Sequence, residues 1–185
     1  MRDPIVPQLS AEEFLSWESR QPTRYELHEG FIVAFAGGLA VHDRLSFNLR
    51  TIFERVFPSP CRSFGSDLKI KASAQHFFYA DAGVVCDDDD DDDVLYVKHP
   101  RVVGEVLSPS TRAYDLIEKR ATYREIASLE VYVIVHTMLR RVEIDELHAG
   151  AWNTRFVEAD DVDFLGATFT LDELYARTSV PLGGE

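Results

Sequence analysis

Two acidic residues, Asp81 and Glu105, lie inside short runs of apolar residues. Glu105 is the only charged residue in the run 102–107, and Asp81 stands between Ala80 and Ala82 in "FFYADAGVV". Runs of this length, rich in β-branched and aromatic residues, are typical of buried strands. A buried carboxylate must be protonated, paired or bound to a metal ion, because burying it without a partner costs several kcal/mol. Both positions are therefore candidates for a functional site.

The two acids together predict a metal site. Period-two alternation places each acid on an otherwise apolar face of its strand, Asp81 beside Tyr79 and Glu105 beside Val103. We expect the two strands to be neighbours in one sheet. Adjacent carboxylates repel each other unless a cation lies between them, and Mg²⁺ prefers oxygen ligands, waters and phosphates. The alternative is that each acid pairs with a Lys or Arg, or caps a neighbouring turn.

A lysine on the next helix could complete this site. Lys119 and Tyr123 share one stripe with apolar residues at spacings of three and four, in a helix predicted over about residues 112–127. The stripe faces inward, and the helix directly follows the strand of Glu105, so the Lys119 ammonium can approach both carboxylates. An i,i+4 ion pair with Asp115 is an equally good interpretation of Lys119.

The elements that must position these residues predict an α+β fold, with a mixed α/β sheet flanked by helices. Ser10 and Glu13 form a capping-box signature before a short helix, and a hairpin is predicted to turn at Gly30. The alternating runs "RRVEIDEL" and "WNTRFVEA", which lie on either side of residues 148–150, predict a second antiparallel pair of strands. An amphipathic helix that carries Leu45 and Leu49 ends before Pro58. Strand-like segments and the helix of Lys119 follow. We expect one domain over residues 1–185.

The chain is acidic, with a formal net charge of −13 over its 185 residues. Seven of these charges form one aspartate run at residues 87–93, which lacks the glycine and the closing glutamate of an EF-hand loop. Like charges at this density favour a mobile, solvated loop. Nonspecific affinity for nucleic acid depends on Lys and Arg at phosphates, so a nucleic-acid function here requires a local basic patch or a metal ion.

The cysteines and the apolar runs bear on the cellular compartment. Cys61 and Cys86 lie in strand-like runs without metal-type spacing, and we expect buried thiols rather than a disulfide, which suits a reducing cytoplasm. The longest apolar runs, such as "VYVIV", are too short to cross a bilayer. The N-terminus lacks the features of a signal peptide. We therefore expect a cytoplasmic protein without a membrane segment.

Taken in order, these motifs resemble the PD-(D/E)XK, or restriction-endonuclease-like, superfamily of nucleases. Within it, the chain is similar to a large bacterial branch of proposed restriction endonucleases of unknown function. The motifs that carry the resemblance, which spans most of the chain, are "RYELHEGFIVAFAGG", a helix that opens with His42, "GSDLKIK", "FFYADAGVV", "EVLSPST" and "YDLIEKRATY". Two positions depart from the superfamily pattern. Ala80 replaces a proline, and Leu107 stands where the E-x-K lysine is expected, so the resemblance assigns the lysine role to Lys119.

The resemblance implies Mg²⁺-dependent hydrolysis of phosphodiester bonds in nucleic acid, DNA in preference to RNA, by a homodimer. It implies that Asp81, Glu105 and the backbone carbonyl of Val106 bind one or two Mg²⁺ (or Mn²⁺) ions. Lys119 would orient the attacking water or stabilise the charge that develops on phosphorus. Tyr123 is an expected neighbour of this site.

Two accessory residues have open alternatives. Glu26 lies in an alternating strand and either joins the metal site or forms an edge-strand salt bridge, which we favour. His42 either contacts a phosphate or carboxylate or is a structural histidine, and the structural role is the more common one for a lone histidine.

Two other functions remain open. A noncatalytic binding or regulatory module of the same fold is favoured by the acidity and by Leu107. A metal-dependent hydrolase of a small phosphorylated substrate would not be hindered by an acidic surface. A narrow pocket over the carboxylates would favour the small substrate. A polynucleotide would instead be favoured by an open groove lined by Lys69, Lys71, Arg112 and Arg124.

Overall fold

The structure is a computed structural model that describes residues 8–34, 38–86, 94–108, 112–159 and 161–182. The acidic loop predicted at residues 87–93 lies outside the described residues. Residues 109–111, before the helix of Lys119, also lie outside them.

The helices begin and end largely where capping and breaking residues predict. They are α1 (Ala11–Glu18), α2 (Ala40–Val56), α3 (Arg112–Tyr114), a π-helical turn (Asp115–Lys119), α4 (Arg120–Tyr123) and α5 (Leu171–Leu174). The capping box of α1 is formed, with reciprocal hydrogen bonds between Ser10 and Glu13. Thr170 and Glu173 form a second capping box at α5. In the described part of the chain, no helix is long and apolar enough to cross a membrane.

Two mixed sheets form the framework, as predicted for an α+β fold. The strands are β1 (Tyr25–His28), β2 (Phe31–Ala34), β3 (Arg62–Gly65), β4 (Lys69–Lys71), β5 (Phe77–Tyr79), β6 (Ala82–Val85), β7 (Tyr96–Val97), β8 (Pro100–Val106), β9 (Val131–Val135), β10 (Val142–His148), β11 (Ala151–Val157), β12 (Asp161–Phe164) and β13 (Ala167–Thr170). The six-stranded sheet has the order β11-β10-β9-β8-β6-β3, and the five-stranded sheet has the order β2-β1-β5-β4-β7. Each sheet combines antiparallel pairs with one parallel pair, β8–β9 and β4–β7 respectively.

Three hairpins close with the same kind of tight turn. Each turn has two residues of positive φ, and the second is a glycine, Gly30, Gly150 or Gly166. This geometry matches the twist of antiparallel strands. The hairpins β1–β2 and β10–β11 confirm the predicted ones. The β12–β13 hairpin was not predicted, although its Leu165-Gly166 turn has the same form as the Glu29-Gly30 turn of β1–β2.

The main core lies between α2 and one face of the six-stranded sheet. Leu45, Leu49 and Phe53 of α2 are fully buried in a cluster with alternate residues of β8 and β9. The helix approaches β8 closely, since a Cβ atom added at Gly104 would lie 2.7 Å from Leu49 Cδ2. Glycine at this position therefore lets α2 pack directly over the strand that carries Glu105.

The opposite face of the same sheet packs against the segment that carries Lys119. Val103 and Leu107 of the β8 segment share a buried cluster with Tyr123 and Ile126. Because β8 is covered on both faces, its residues read as a continuous apolar run. The predicted helix over residues 112–127 was too regular: it contains the π-helical turn and ends at Tyr123.

The predicted single strand around Asp81 is two strands. β5 ends at Tyr79, β6 begins at Ala82, and the two strands belong to different sheets. The alternation that was expected to run through Asp81 therefore stops at Ala80. Asp81 lies at the junction between the sheets rather than inside one strand.

The expectation of two free thiols was wrong, since Cys61 and Cys86 form a disulfide. Arg62 and Val85 are partners in the antiparallel pair β3–β6, so the residues just outside this pair are brought together. The Cα atoms of the two cysteines are 3.9 Å apart. The argument from free thiols for a reducing cytoplasm therefore no longer holds.

Candidate active site

Asp81 and Glu105 lie at the adjacent ends of two paired strands. β6 and β8 are antiparallel neighbours in which Ala82 is the partner of Gly104, so each acid is next to a paired residue. Asp81 Oδ2 accepts a hydrogen bond of 2.7 Å from the backbone amide of Val106. Both acids are buried, with 8% and 4% of their surfaces exposed. The strands predicted to be neighbours are neighbours, and they bring the two acids into one site.

Lys119 contacts carboxylates from three elements. Its Nζ atom lies 3.0 Å from Glu26 Oε1, 3.3 Å from Glu105 Oε1 and 3.9 Å from Asp115 Oδ1. The side chain is 5% exposed and its Nζ atom lies 5.5 Å from the centre of the Phe78 ring. Lys119 therefore pairs with Asp115 and also reaches Glu105, but among the described residues it forms no ion pair with Asp81, the second acid that it was expected to approach.

Glu26 belongs to the same site. β1 is an inner strand, between β2 and β5, so the favoured edge-strand salt bridge is replaced by a buried ion pair with Lys119. Glu26 also accepts a hydrogen bond of 2.8 Å from the Tyr79 amide. Its second carboxylate oxygen lies 2.8 Å from His28 Nε2. Glu26 thereby connects the five-stranded sheet to Lys119.

Tyr123 positions Glu105 through a buried hydrogen bond. Its hydroxyl donates a hydrogen bond of 3.0 Å to Glu105 Oε1, the same oxygen that faces Lys119. The ring is fully buried between the rings of Phe78 and Tyr132, at centre distances of 5.4 and 5.2 Å. This matches the position expected for Tyr123, beside the site.

His42 reaches the site from the first turn of α2. Its Nε2 atom lies 3.2 Å from Asp81 Oδ2, and the Ser46 hydroxyl lies 3.4 Å from Nδ1. Burial would lower the pKa of His42, but the Asp81 carboxylate and a hydrogen bond to the backbone of Val106 outweigh it and raise the pKa. The histidine expected to be structural therefore contacts Asp81, one of the two acids expected to bind the metal.

The carboxylates of the site are held in different electrostatic states. Burial raises the pKa of Glu105 well above its usual value; Lys119 opposes this, and Asp81, Asp115 and Glu26 add to it. Burial also acts on Glu26, but Lys119 and His28 outweigh it and lower the pKa of that carboxyl group. Two carboxylates whose pKa values are moved apart are a common feature of catalytic sites.

Lys119 stays charged despite its burial. Burial alone would lower the pKa of its ammonium, but Glu105, Glu26 and Asp115 together raise it. The site therefore combines four buried carboxylates, those of Glu26, Asp81, Glu105 and Asp115, with one ammonium. Such an excess of negative charge favours the binding of a further cation.

The residues present fit a hard divalent cation. Within the described ranges, no group of three or more His, Cys, Asp and Glu side chains is arranged as a complete metal site. Mg²⁺ does not require one, because it is usually bound through one or two carboxylates and keeps several waters. Asp81, Glu105 and the backbone carbonyl of Val106 are the oxygen donors that could hold it.

These groups line one cavity of about 820 Å³. Glu26, His42, Asp81, Glu105 and Lys119 all contribute to its wall. Among the described residues, Lys119 is the only Lys or Arg that does so. The groove expected for a polynucleotide, lined by Lys69, Lys71, Arg112 and Arg124, is not what surrounds these acids.

Several residues of the cavity wall were not predicted as site residues, among them His28, Ser46, Tyr114 and Asp115. His28 stands two residues after Glu26 in β1, so the period-two rule could have found it. Asp115 was considered only as the surface partner of Lys119. Tyr114 carried no signal, since its role depends on packing against His28 from a distant strand.

Two known proteins are similar to this chain over most of its length. An uncharacterised protein of Synechocystis sp., slr1290, is 36% identical over 177 residues, which cover 91% of this chain and 92% of that protein. A second one, sll1609, is 31% identical over 139 residues, covering 73% of this chain and 78% of its own length.

A crystal structure described as "a putative nuclease belonging to DUF820" from Anabaena variabilis has the same fold. Its TM-score is 0.74 at 14% sequence identity, and the match covers 91% of this chain and 98% of that chain. The likeness confirms the predicted restriction-endonuclease-like α+β fold. The model of the Uma2 family, described as "Putative restriction endonuclease", matches residues 11–174. The chain therefore belongs to the Uma2 family, within the restriction-endonuclease-like superfamily.

Proposed function

We propose that this protein is a metal-dependent nuclease that hydrolyses phosphodiester bonds. The observation that carries the proposal is the meeting of Asp81, Glu105 and Lys119 in one cavity, with Lys119 Nζ 3.3 Å from Glu105. The descriptions of the family and of the Anabaena structure, which name a restriction endonuclease and a nuclease, support it. By analogy with the superfamily, we further propose DNA in preference to RNA as the substrate and a homodimer as the working form.

Asp81, Glu105 and the carbonyl of Val106 are the groups that would hold Mg²⁺ or Mn²⁺. When bound there, such an ion supplies a Lewis acid for the phosphoryl oxygen and lowers the pKa of a water molecule. The chain prepares this position through the Val106 amide, which fixes one oxygen of Asp81 at 2.7 Å. Tyr123 fixes one oxygen of Glu105 in the same way.

Lys119 would act through its charge rather than as a base. Its neighbouring carboxylates raise the pKa of the ammonium, so Lys119 is protonated at neutral pH and has no lone pair to accept a proton. A fixed ammonium beside the phosphate stabilises the negative charge that develops on the phosphoryl oxygens as water attacks. The attacking water loses a proton to solvent as the new P–O bond forms, and the alcohol released when the old P–O bond breaks takes a proton from solvent or from a neighbouring acid.

A second candidate is a hydrolase of a small phosphorylated molecule. It is favoured by the cavity, whose described wall contains no Lys or Arg besides Lys119. Lys69 instead pairs with Glu18 at 3.0 Å, and Arg124 pairs with Asp145 at 2.8 Å. A noncatalytic module of the same fold is the third function to be tested.

Calorimetric titration with Mg²⁺ and Mn²⁺ tests the site directly. The proteins to compare are the wild type, Asp81→Asn, Glu105→Gln and Lys119→Met, each checked by circular dichroism for folding. We expect metal binding to be lost in both acid variants. In Lys119→Met it should persist or tighten, because the ammonium no longer competes for Glu105, while cleavage of a phosphodiester falls by about 100-fold or more.

The other outcomes of the metal titration and of the cleavage assays would support the alternative interpretations. Metal binding that survives in both acid variants would assign the metal to the aspartate run at residues 87–93. A wild type that binds no metal, or that binds it and cleaves neither plasmid, single strand nor small phosphodiester, would support the noncatalytic module. Cleavage of the small ester alone would support the second candidate.

A further inference from the structure

The cavity has an aromatic side as well as an acidic one. The rings of His28 and Tyr114 are stacked, with their centres 4.6 Å apart and their planes 19° from parallel. His28 is fixed by Glu26, whose carboxylate oxygen lies 2.8 Å from Nε2, and by the edge of the Phe78 ring. Both stacked residues line the cavity that contains Asp81 and Glu105. A rigid aromatic pair thus lies beside the position proposed for the phosphodiester.

The cavity is poor in the groups that bind a duplex. A protein that holds double-stranded DNA neutralises several phosphates with Lys and Arg, and this term dominates nonspecific affinity. In the part of the chain that the structure describes, Lys119 alone contributes such a group to the wall, and it is already shared by three carboxylates. The residues outside the described part include only one basic residue, Arg2.

The size of the cavity suits one nucleotide. Its volume of about 820 Å³ falls within the range of roughly 300–1,000 Å³ that is usual for sites of small ligands. Val33 and Ala34 add an apolar stretch to the wall. Burial raises the pKa of the Tyr114 hydroxyl, so its ring stays neutral and does not repel a nucleotide.

We infer that the cavity takes a single unpaired nucleotide of a strand, whose base stacks on Tyr114 while its phosphodiester lies over Asp81 and Glu105. Stacking on an aromatic side chain is available to every base, because every base has a π-face. The inference rests on the proposed function and narrows its substrate from nucleic acid in general to single strands, strand ends or unpaired positions.

Binding of short oligonucleotides tests this inference. The probes are a single-stranded tetrathymidylate with phosphorothioate linkages, four versions in which one sugar at a time lacks its base, and a 12-base-pair duplex, each measured by calorimetry with Mg²⁺ present. We expect one abasic position to weaken binding by roughly tenfold or more, the order expected for one base–aromatic contact. We expect the duplex to bind at least tenfold more weakly than the single strand.

Variants decide whether the contact is with Tyr114. Tyr114→Leu should remove the difference between the complete strand and the critical abasic strand, whereas Tyr114→Phe should keep it. Tyr96→Leu is the matched control. Tyr96, in β7, is partly buried like Tyr114 but does not line the cavity, so the difference between the complete and the abasic strand should be kept. Thermal unfolding of each variant checks the fold.

Several results would overturn the inference. These are equal binding of all abasic strands, a Tyr114→Leu variant that weakens the complete and abasic strands by the same factor, and a duplex that binds as tightly as the single strand. A wild type that binds no strand would also overturn it. Cleavage of methyl p-nitrophenyl phosphate with Mn²⁺ is followed separately, because this ester has no nucleoside. Its cleavage together with that of a plasmid would keep the proposed function even when the inference about the nucleotide fails, whereas its cleavage alone would support the small-substrate hydrolase.

Discussion

Glu105 is the residue on which the candidate site depends most. Its Oε1 atom faces both the Lys119 ammonium, at 3.3 Å, and the Tyr123 hydroxyl, at 3.0 Å. Lys119 lies closer to Glu26, at 3.0 Å, and this unequal sharing agrees with the lowered pKa of Glu26 and the raised pKa of Glu105. Glu105 is thus the carboxylate whose negative charge is least compensated, and a cation placed beside it would gain the most.

The hydroxyl of Tyr123 should contribute measurably to stability. Tyr123→Phe removes a buried donor to Glu105, and an acceptor left without it loses about 1–3 kcal/mol. Tyr132→Phe is the matched control, because its ring packs 5.2 Å from that of Tyr123 and is fully buried too. Among the described residues, the Tyr132 hydroxyl has no hydrogen-bond partner, so its removal should leave the free energy of unfolding unchanged or raise it.

Urea unfolding without added metal measures both free energies. Equal losses in the two variants would mean that the packing of the buried hydroxyl oxygen, and not the hydrogen bond to Glu105, accounts for the effect. A stable Tyr123→Phe protein would show that Glu105 does not need this donor.

At the scale of residues, the sequence was informative where a charge interrupts an apolar pattern. Asp81, Glu105 and Lys119 were found in this way, and the structure brings them together. Whether they bind metal and catalyse stays a prediction. Glu26 and His42 were harder to judge, since an acid in a strand or a histidine on a helix has many roles. Their partners, Lys119 and Asp81, come from elements far away in the chain.

The element that presents Lys119 is an unusual helix. Its π-helical turn, Asp115–Lys119, buries both terminal side chains, and turns of this kind are frequent at functional sites. The next residue, Arg120, contacts a different part of the protein: its Nε atom lies 2.7 Å from Asp145 on β10, and its Nη1 atom lies 3.1 Å from Glu143. The helix is thus held on one side by the candidate site and on the other by the six-stranded sheet.

Asp145 should be the residue that holds this helix in place. It is fully buried and accepts hydrogen bonds from Arg120, Arg124 and Thr154. Asp145→Asn would leave two partly buried arginines, 17% and 29% exposed, short of a counter-charge, so we expect a loss of part of the roughly 3–5 kcal/mol that breaking a fully buried ion pair costs. The matched control, Asp172→Asn, changes the same kind of pair with Arg140 at an 87% exposed side chain, where little change is expected.

Chemical denaturation measures the free energy of unfolding of both variants and so allows the comparison. In addition, the cleavage rate of Asp145→Asn should fall more than its metal affinity, because Asp145 positions the helix of Lys119 and not the two acids. Equal small effects in the two variants would show that the buried network is dispensable. A parallel fall in rate and metal affinity would show that the substitution disturbs the whole site.

Helical spacing predicted the inward stripe of Lys119 and Tyr123 but not the π-helical turn. The extra backbone residue in a π turn is set by tertiary packing, and a π-helical segment of five residues is too short to be recognised from side-chain periodicity. The split between β5 and β6 was missed for a similar reason, since Ala80 and Asp81 contain no glycine or proline that marks a break. The fold class, the main helix α2 and two hairpins followed correctly from caps, glycines and apolar periodicity.

At the scale of the whole molecule, the acidity must be reconciled with a polyanionic substrate. The chain has a net charge of −13, and seven of these charges lie in the aspartate run at residues 87–93. Long-range repulsion should slow the approach of any nucleic acid, while the cavity offers stacking and a metal ion rather than basic contacts. A site of this kind depends on short-range recognition of one unit of the substrate.

The ionic-strength dependence of cleavage separates this picture from that of a conventional DNA-binding nuclease. When NaCl rises from about 10 to 100 mM, the Debye length falls from about 30 to 10 Å, so the repulsion between the protein and a single strand weakens. We expect kcat/KM for a single-stranded oligonucleotide to stay level or to rise several-fold, measured at constant Mn²⁺. A nuclease that binds phosphates with Lys and Arg would show a fall in kcat/KM as salt rises, because binding that releases counterions weakens steeply with salt. Methyl p-nitrophenyl phosphate, with a single negative charge, is the control and should respond less than the oligonucleotide. A fall of tenfold or more for the oligonucleotide alone would mean that a local basic surface, hidden by the net charge, docks the strand.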